Sequence, residues 1–125
     1  MKPLILIVDD EPFIRRSLSF VFKKEGFQVE VAGDGEEGLR KARELKPRVI
    51  FLDLMMPKMN GFNTCRAIKS DESLKNSYVI MLTAKGQEVD REQGFKEGAD
   101  EFLTKPFSPK EILAKIIDIL GKKNE

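Results

Sequence analysis

The feature that most constrains this chain is a rhythm: short apolar runs of strand length, separated by stretches with helical spacing. Leu4–Val8, Val49–Leu52 and Tyr78–Leu82 are apolar almost throughout and bounded by polar or turn residues. Runs of that length without alternation are the pattern of strands buried on both faces of a parallel sheet. Two further runs are weaker. Phe27-Gln28-Val29-Glu30-Val31 alternates apolar with polar, so one of its faces meets water. Glu101-Phe102-Leu103 is short and stops before Lys105-Pro106. Both have the character of edge strands.

The segments between the runs read as helices. The first begins at Pro12, carries Phe13, Leu18, Val21 and Phe22 as its apolar residues, and stops at Gly26. The second starts at Asp34 with Glu37 three residues on, a capping-box spacing, and ends before Pro47. The third covers roughly Phe62 to Lys69. The fourth, roughly Glu88 to Glu97, has few apolar residues and an internal Gly94, so it is expected to be the least firmly packed. The fifth opens with the capping box Ser108-Pro109-Lys110-Glu111. Its buried stripe is Ile112, Ile116 and Ile119, and Gly121 is expected to close it.

Alternation of this kind implies an α/β fold: one doubly wound, five-stranded parallel sheet with helices on both faces. With runs one, three and four central and two and five at the edges, the flavodoxin-like order 2-1-3-4-5 fits. Ligands in such folds bind beyond the carboxyl ends of the strands, where the order reverses.

Composition narrows the chemistry. At 125 residues there is room for one domain with one core. A net charge of +1 gives no reason to infer a polyanionic partner, and no direct contact with nucleic acid is expected. The absence of histidine removes histidine triads, histidine metal sites and any self-made phosphohistidine, and the single Cys65 allows no internal disulfide. Cys65 reads as a small buried side chain, and Met55, Met56 and Met59 as packing and loop-filling groups. The apolar run near the N-terminus is too short for a signal peptide or a membrane helix, so a cytoplasmic protein without membrane contact is expected.

Polar residues gather at one rim of this expected sheet. Run one ends in Asp9-Asp10-Glu11, run three in Asp53, run four in Thr83-Ala84, and run five is followed by Lys105. Each alone has an ordinary explanation: aspartates favour helix N-termini, and a single lysine or threonine is commonly a surface or strand-end residue. Together they put carboxylates, a hydroxyl and an ammonium on one edge. Clustered carboxylates repel one another, and a divalent cation relieves this. All-oxygen ligation suits Mg²⁺; zinc is disfavoured without histidine and with one thiol. With Mg²⁺ on Asp9 and Asp10, Asp53 can attack phosphorus and become an acyl phosphate, while Lys105 neutralises charge on the phosphoryl oxygens and Thr83 hydrogen-bonds one of them.

The segments IVDDEP, FLDLMMPKMNG, MLTAK and LTKPF, in that order and spacing, resemble the CheY-like receiver domains of two-component response regulators, and the resemblance covers essentially the whole chain. It implies a receiver domain over residues 1–121 with a short polar tail at 122–125. It implies a phosphorelay role in which Asp53 accepts a phosphoryl group, Asp9 and Asp10 are the acidic Mg²⁺ pair, and the backbone carbonyl of Met55 is a further metal ligand. Thr83 becomes the switch hydroxyl, Lys105 the phosphate-binding lysine, and the Lys105-Pro106 bond is expected to be cis. The aromatic switch position falls on Phe102. The family often has tyrosine there, and phenylalanine has no hydroxyl with which to report the state. Pro57 and Gly61 are expected to shape the loop after run three.

By the same resemblance the chain is no metabolic enzyme, but catalyses its own phosphotransfer and slow dephosphorylation. The donor is expected to be a phosphohistidine on a sensor histidine kinase or phosphotransfer protein. The readout is expected to be a downstream effector, or a second copy of the chain, through the fourth helix, fifth strand and fifth helix. The chain is either a stand-alone receiver or a piece of a longer regulator. A Mg²⁺-dependent aspartyl phosphohydrolase would carry Asp-x-Asp at the nucleophile, where this chain has Met55. A P-loop enzyme lacks its Gly-Lys-Ser/Thr here, and a flavodoxin-type carrier would meet Asp9-Asp10-Glu11 where its cofactor phosphate should sit. An interaction module that is never phosphorylated would have no use for the intact rim.

Overall fold

A computed structural model describes residues 3–56, 58–84, 90–105 and 107–123. The elements alternate without interruption: β1 (Leu4–Val8), α1 (Pro12–Lys24), β2 (Gln28–Ala32), α2 (Gly35–Leu45), β3 (Val49–Asp53), α3 (Gly61–Ser70), β4 (Tyr78–Ala84), α4 (Asp90–Lys96), β5 (Glu101–Lys105) and α5 (Pro109–Lys123). The strands form one sheet of order β2-β1-β3-β4-β5, with every neighbouring pair parallel. This is the expected doubly wound architecture, with the alternating run at one edge and the short run at the other.

The pleat divides the core in two. Ile5, Ile7, Val49, Phe51, Ile80 and Leu82 point to a layer closed by Leu18 and Phe22 of α1 and by Ile112, Ile116 and Ile119 of α5. Leu6, Val8, Ile50, Leu52, Val79 and Met81 point the other way, to Ala42 of α2, Cys65 and Ile68 of α3, and Phe102 of β5. Successive side chains of a strand face opposite sides, so β1, β3 and β4 need apolar residues at every position. Phe22 stacks on Phe51 with ring centroids 5.6 Å apart, tying α1 to the central strand.

Helix termini follow the local sequence. Asp34 caps α2 by accepting from the Glu37 N–H, and Glu37 Oε1 reaches back past the cap to accept from the Gly33 N–H, one residue earlier than in a capping box. Asn60 caps α3 by accepting from the Asn63 N–H. Pro12 occupies the first turn of α1, and past its end Gly26 takes φ 91°. Lys46 ends α2 in the left-handed region, with φ 49°.

Three sequence readings need correction. Phe13, grouped with Leu18, Val21 and Phe22 as an apolar residue of α1, does not pack with Leu18 and Phe22: it is 70% exposed. Gly121 does not close α5, which continues to Lys123; a glycine in the last turn costs only its weak propensity, too little to stop a helix held by Ile116 and Leu120. Met55 is not a packing group: it is 63% exposed, whereas Met56 packs on the core. The start of the fourth helix at Glu88, and the end of the tail at 124–125, lie outside the described residues. No helix among the described residues is long and apolar enough to cross a membrane.

Candidate functional site: an acidic pocket at the carboxyl rim

Strand parity places the site. Asp9 continues the pleat of Ile5 and Ile7, Asp53 that of Val49 and Phe51, and Lys105 that of Leu103. All three therefore emerge on one side of the sheet edge, beyond central strands that fix their positions. Thr83 and Phe102 have the opposite parity, that of Met81.

Asp53 ends β3 and is 7% exposed; Asp9, just past β1, is fully buried; Asp10 is exposed at the mouth. One carboxylate oxygen from each lies within 4.8 Å of the others. Lys105 reaches into this group from β5. Its Nζ is 3.0 Å from Asp9 Oδ2 and 3.5 Å from Asp53 Oδ1, and a third carboxylate, Glu11, also lies at 3.0 Å. Asp9 Oδ1 accepts from the Glu11 N–H at 2.9 Å, and the Arg15 guanidinium donates to the Asp9 carbonyl at 2.7 Å. Asp9 Oδ2, by contrast, is buried and accepts no aligned hydrogen bond; its contact with Lys105 is an ion pair.

The electrostatics match this crowding. Burial raises the pKa of Asp53 to about 7, helped by the charges of Asp9 and Asp10 and opposed by Lys105. Burial also raises Asp9, against the Glu11 N–H and Lys105. Burial works against the charge on Lys105, but its close pairing with Glu11 and Asp9 and the charge of Asp53 outweigh it and raise its pKa. Three clustered carboxylates with a single ammonium leave net negative charge in a partly dry pocket. The buried, under-satisfied Asp9 Oδ2 and the all-oxygen donor set fit a hard divalent cation.

The loop after β3 is shaped by a close approach. The Gly61 N–H donates to the Leu54 carbonyl at 2.8 Å, and a β-carbon on Gly61 would sit 2.6 Å from the Asp53 carbonyl oxygen. Only glycine fits there, so the start of α3 lies directly against the backbone at the end of β3. Pro57 and the Lys105-Pro106 bond lie outside the described residues.

The structure thus brings Asp9, Asp10, Asp53 and Lys105 together, with Thr83 buried in the next strand. Phe102 is already inside: its ring is buried, meets Phe95 edge to face at 4.9 Å, and has the Arg91 guanidinium 5.8 Å from its centroid. Sequence reasoning gave no role to Glu11, Arg15 or the notch at Gly94. Glu11 was visible as a third acid after Asp9-Asp10, but its bond to Lys105 spans 94 residues and needs the fold to appear.

A single-chain sheet of order 2-1-3-4-5 with an acidic pocket at its carboxyl rim agrees with the comparisons to known proteins. The response regulator receiver domain family matches residues 5–117. The chain is 43% identical over 116 residues to the DNA-binding response regulator MtrA of Mycolicibacterium smegmatis, covering 93% of this chain and 50% of that one. Among solved structures it superposes on the chemotaxis response regulator CheY4 of Vibrio cholerae with a TM-score of 0.89 at 33% identity, covering 95% and 99% of the two chains. It superposes on the BeF3-activated receiver domain of DrrB with a TM-score of 0.87 at 32% identity, covering 97% and 99%. The chain belongs to the response regulator receiver domain family, and it is a phosphorelay signalling domain of the two-component type. It spans about half the length of the curated relatives it matches.

Proposed function

We propose that Asp53 is the phosphoacceptor and that Asp9, Asp10, Asp53 and the Met55 carbonyl hold Mg²⁺ beside it. The observation that carries this reading is the placement of Asp53: a carboxylate at the end of a strand buried on both faces, 3.5 Å from the Lys105 ammonium and within 4.8 Å of two other carboxylates. A nucleophile on a rigid strand is held ready for in-line attack. Asp53 forms the new O–P bond as the P–N bond of a phosphohistidine donor breaks, and the donor imidazole departs with that electron pair. Lys105 neutralises a phosphoryl oxygen, and Thr83 donates to another. When bound, Mg²⁺ supplies charge neutralisation at the same oxygens.

The donor is a sensor histidine kinase or a histidine phosphotransfer protein, since this chain has no histidine of its own. The phosphorylated domain acts through α4, β5 and α5, as a shift between existing populations read by an effector protein or a second copy of the chain. Because Phe102 is already buried, the change begins with repacking around the ring and not with its entry from solvent. The Asp53 phosphate is hydrolysed slowly by the domain itself.

Acetyl phosphate provides the test. Intact mass with Mg²⁺ should show one phosphoryl addition, absent without Mg²⁺ and absent in Asp53→Asn. Labelling of Asp53→Asn at the wild-type rate would exclude the assignment.

A further inference from the structure

Lys105 has more partners than its role beside a phosphoryl group requires. Its three N–H donors face Asp9 Oδ2 and Glu11 Oε1 at 3.0 Å each and Asp53 Oδ1 at 3.5 Å. The three carboxylates are not equivalent. Asp9 and Asp53 are buried members of the cluster that fits a cation, whereas Glu11 is 56% exposed and stands outside that cluster. The ammonium therefore lies across a boundary, with two contacts in the pocket and one at its lip.

A divalent cation among Asp9, Asp10 and Asp53 repels an ammonium that shares two of its carboxylates. Asp9 Oδ2, the buried oxygen with no aligned hydrogen bond, is the contact most directly contested. Without another acceptor, Lys105 would be left half-buried and poorly paired, which is costly, and the cation would have to displace it at that cost. Glu11 removes this conflict. It already holds the ammonium, sits at the N-cap of α1, and its own N–H is fixed to Asp9 Oδ1 at 2.9 Å. The carboxylate that retains Lys105 is thus anchored to the residue that must release it.

We propose that Glu11 is a positioning residue for Lys105: it retains the ammonium at the lip of the pocket when a divalent cation takes Asp9, keeping the lysine at hand for the phosphoryl group. This rests on the reading of the pocket as a Mg²⁺ site. Glu11 neither ligates the cation nor touches the reacting atoms. It acts through Lys105, as partners beyond the direct ligands tune a site.

The test uses the whole chain, wild type and Glu11→Gln, with lysine side-chain NMR and calorimetric titration of Mg²⁺. In wild type the Lys105 ammonium should give an immobilised, exchange-protected signal that persists as Mg²⁺ saturates. In Glu11→Gln that signal should be present without Mg²⁺, held by Asp9 and Asp53, and vanish on saturation. The Mg²⁺ Kd should rise about tenfold. A Lys105 signal that responds to Mg²⁺ identically in both proteins would overturn the role of Glu11 while leaving the metal site standing. Absence of Mg²⁺ binding in wild type would overturn both. A change in the metal-free fold of Glu11→Gln would show in its amide spectrum before any Mg²⁺ is added, and the same comparison in Glu11→Asp, which keeps the charge, then decides the matter. Loss of the Lys105 signal in both variants sustains the role, and retention in Glu11→Asp with a wild-type Kd reduces Glu11 to a through-space charge.

Discussion

Gly94 of α4 and Phe102 of β5 fit each other as notch and peg: a β-carbon built on Gly94 would overlap Cζ of the Phe102 ring and stand 2.9 Å from Cε1. The helix with the fewest apolar side chains is therefore seated on the sheet by the absence of one. Among the described residues it is also held by Arg91 and Phe95, which meet the same ring, and just past its C-terminal end, where Arg66 pairs with Glu97 and the Cys65 thiol faces the Glu97 carbonyl.

Gly94→Ala sets two effects against each other. Alanine gains about 1 kcal/mol of helix propensity, while overpacking costs about 1–3 kcal/mol. A net loss of about 1 kcal/mol in urea denaturation is expected. The pair should also be coupled. Phe102→Leu empties part of the space that the new methyl needs, so the double variant should be more stable than the two single losses predict, by about 0.5–2 kcal/mol. Strict additivity would mean that ring and helix do not share this space in solution.

The second expectation concerns charge in the pocket. Asp53 has its pKa raised to about 7 in the fold, chiefly by burial, against about 3.9 in an unfolded chain. A carboxyl with a raised folded pKa holds its proton more tightly when folded. It favours the folded state at low pH, and that advantage disappears as pH rises from about 4 through about 7. Asp9 is shifted in the same direction. In EDTA, wild type should therefore lose stability relative to Asp53→Asn between pH about 5 and about 7.5, with urea midpoints as the measure. Saturating Mg²⁺ should reverse the difference, adding about 2.7 kcal/mol at 100 times its Kd to wild type and much less to the variant. Midpoints that run parallel with pH in EDTA would mean that Asp53 titrates as an ordinary exposed carboxyl.

Much of this was legible in the sequence because it depends on short-range rules. Strand positions followed from apolar runs, with ends one or two residues off except in β1, and the cap at Asp34 from a three-residue spacing. The gathering of Asp9, Asp53 and Lys105 followed from parallel strands all ending at one rim. What escaped reading depends on long-range packing. Phe13 has the composition of a core residue, and only the rotation of α1 set by Leu18 and Phe22 turns it outward. Gly94 looks like a weak point until Phe102 is placed against it. Glu11 is one acid among three until Lys105 arrives from the far end of the chain.

Lys46 offers a test of backbone conformation separate from the site. It terminates α2 at φ 49°, where its N–H donates to the Ala42 carbonyl at 2.8 Å, and its side chain is exposed. A residue with a β-carbon is disfavoured there by about 1–2 kcal/mol, whereas glycine loses about 0.5–1 kcal/mol of extra chain entropy on folding. Lys46→Gly should thus stabilise the domain by about 0.5–1 kcal/mol with phosphorylation unchanged. A loss of stability would show that the lysine stem covers apolar surface near Pro47 that the glycine exposes.

The lifetime of the phosphorylated state should be governed by the mouth of the pocket. Met55 lies two residues beyond Asp53 and is 63% exposed, which leaves its side chain free to flank the approach from solvent. A thioether is at best a weak hydrogen-bond acceptor and donates nothing. It therefore can neither orient a water for attack on phosphorus nor take a proton from it, and it shields the approach by bulk alone. An amide at this position has both donors and an acceptor with which to hold a water in line. Met55→Asn should accordingly speed phosphate release severalfold, followed by a phosphate assay after acetyl phosphate is removed, and a carboxamide too long to sit in the same place, Met55→Gln, should speed it less. Fold stability should barely change in either, because the side chain is exposed. Release at the wild-type rate in both variants would mean that water reaches Asp53 from a direction Met55 does not guard.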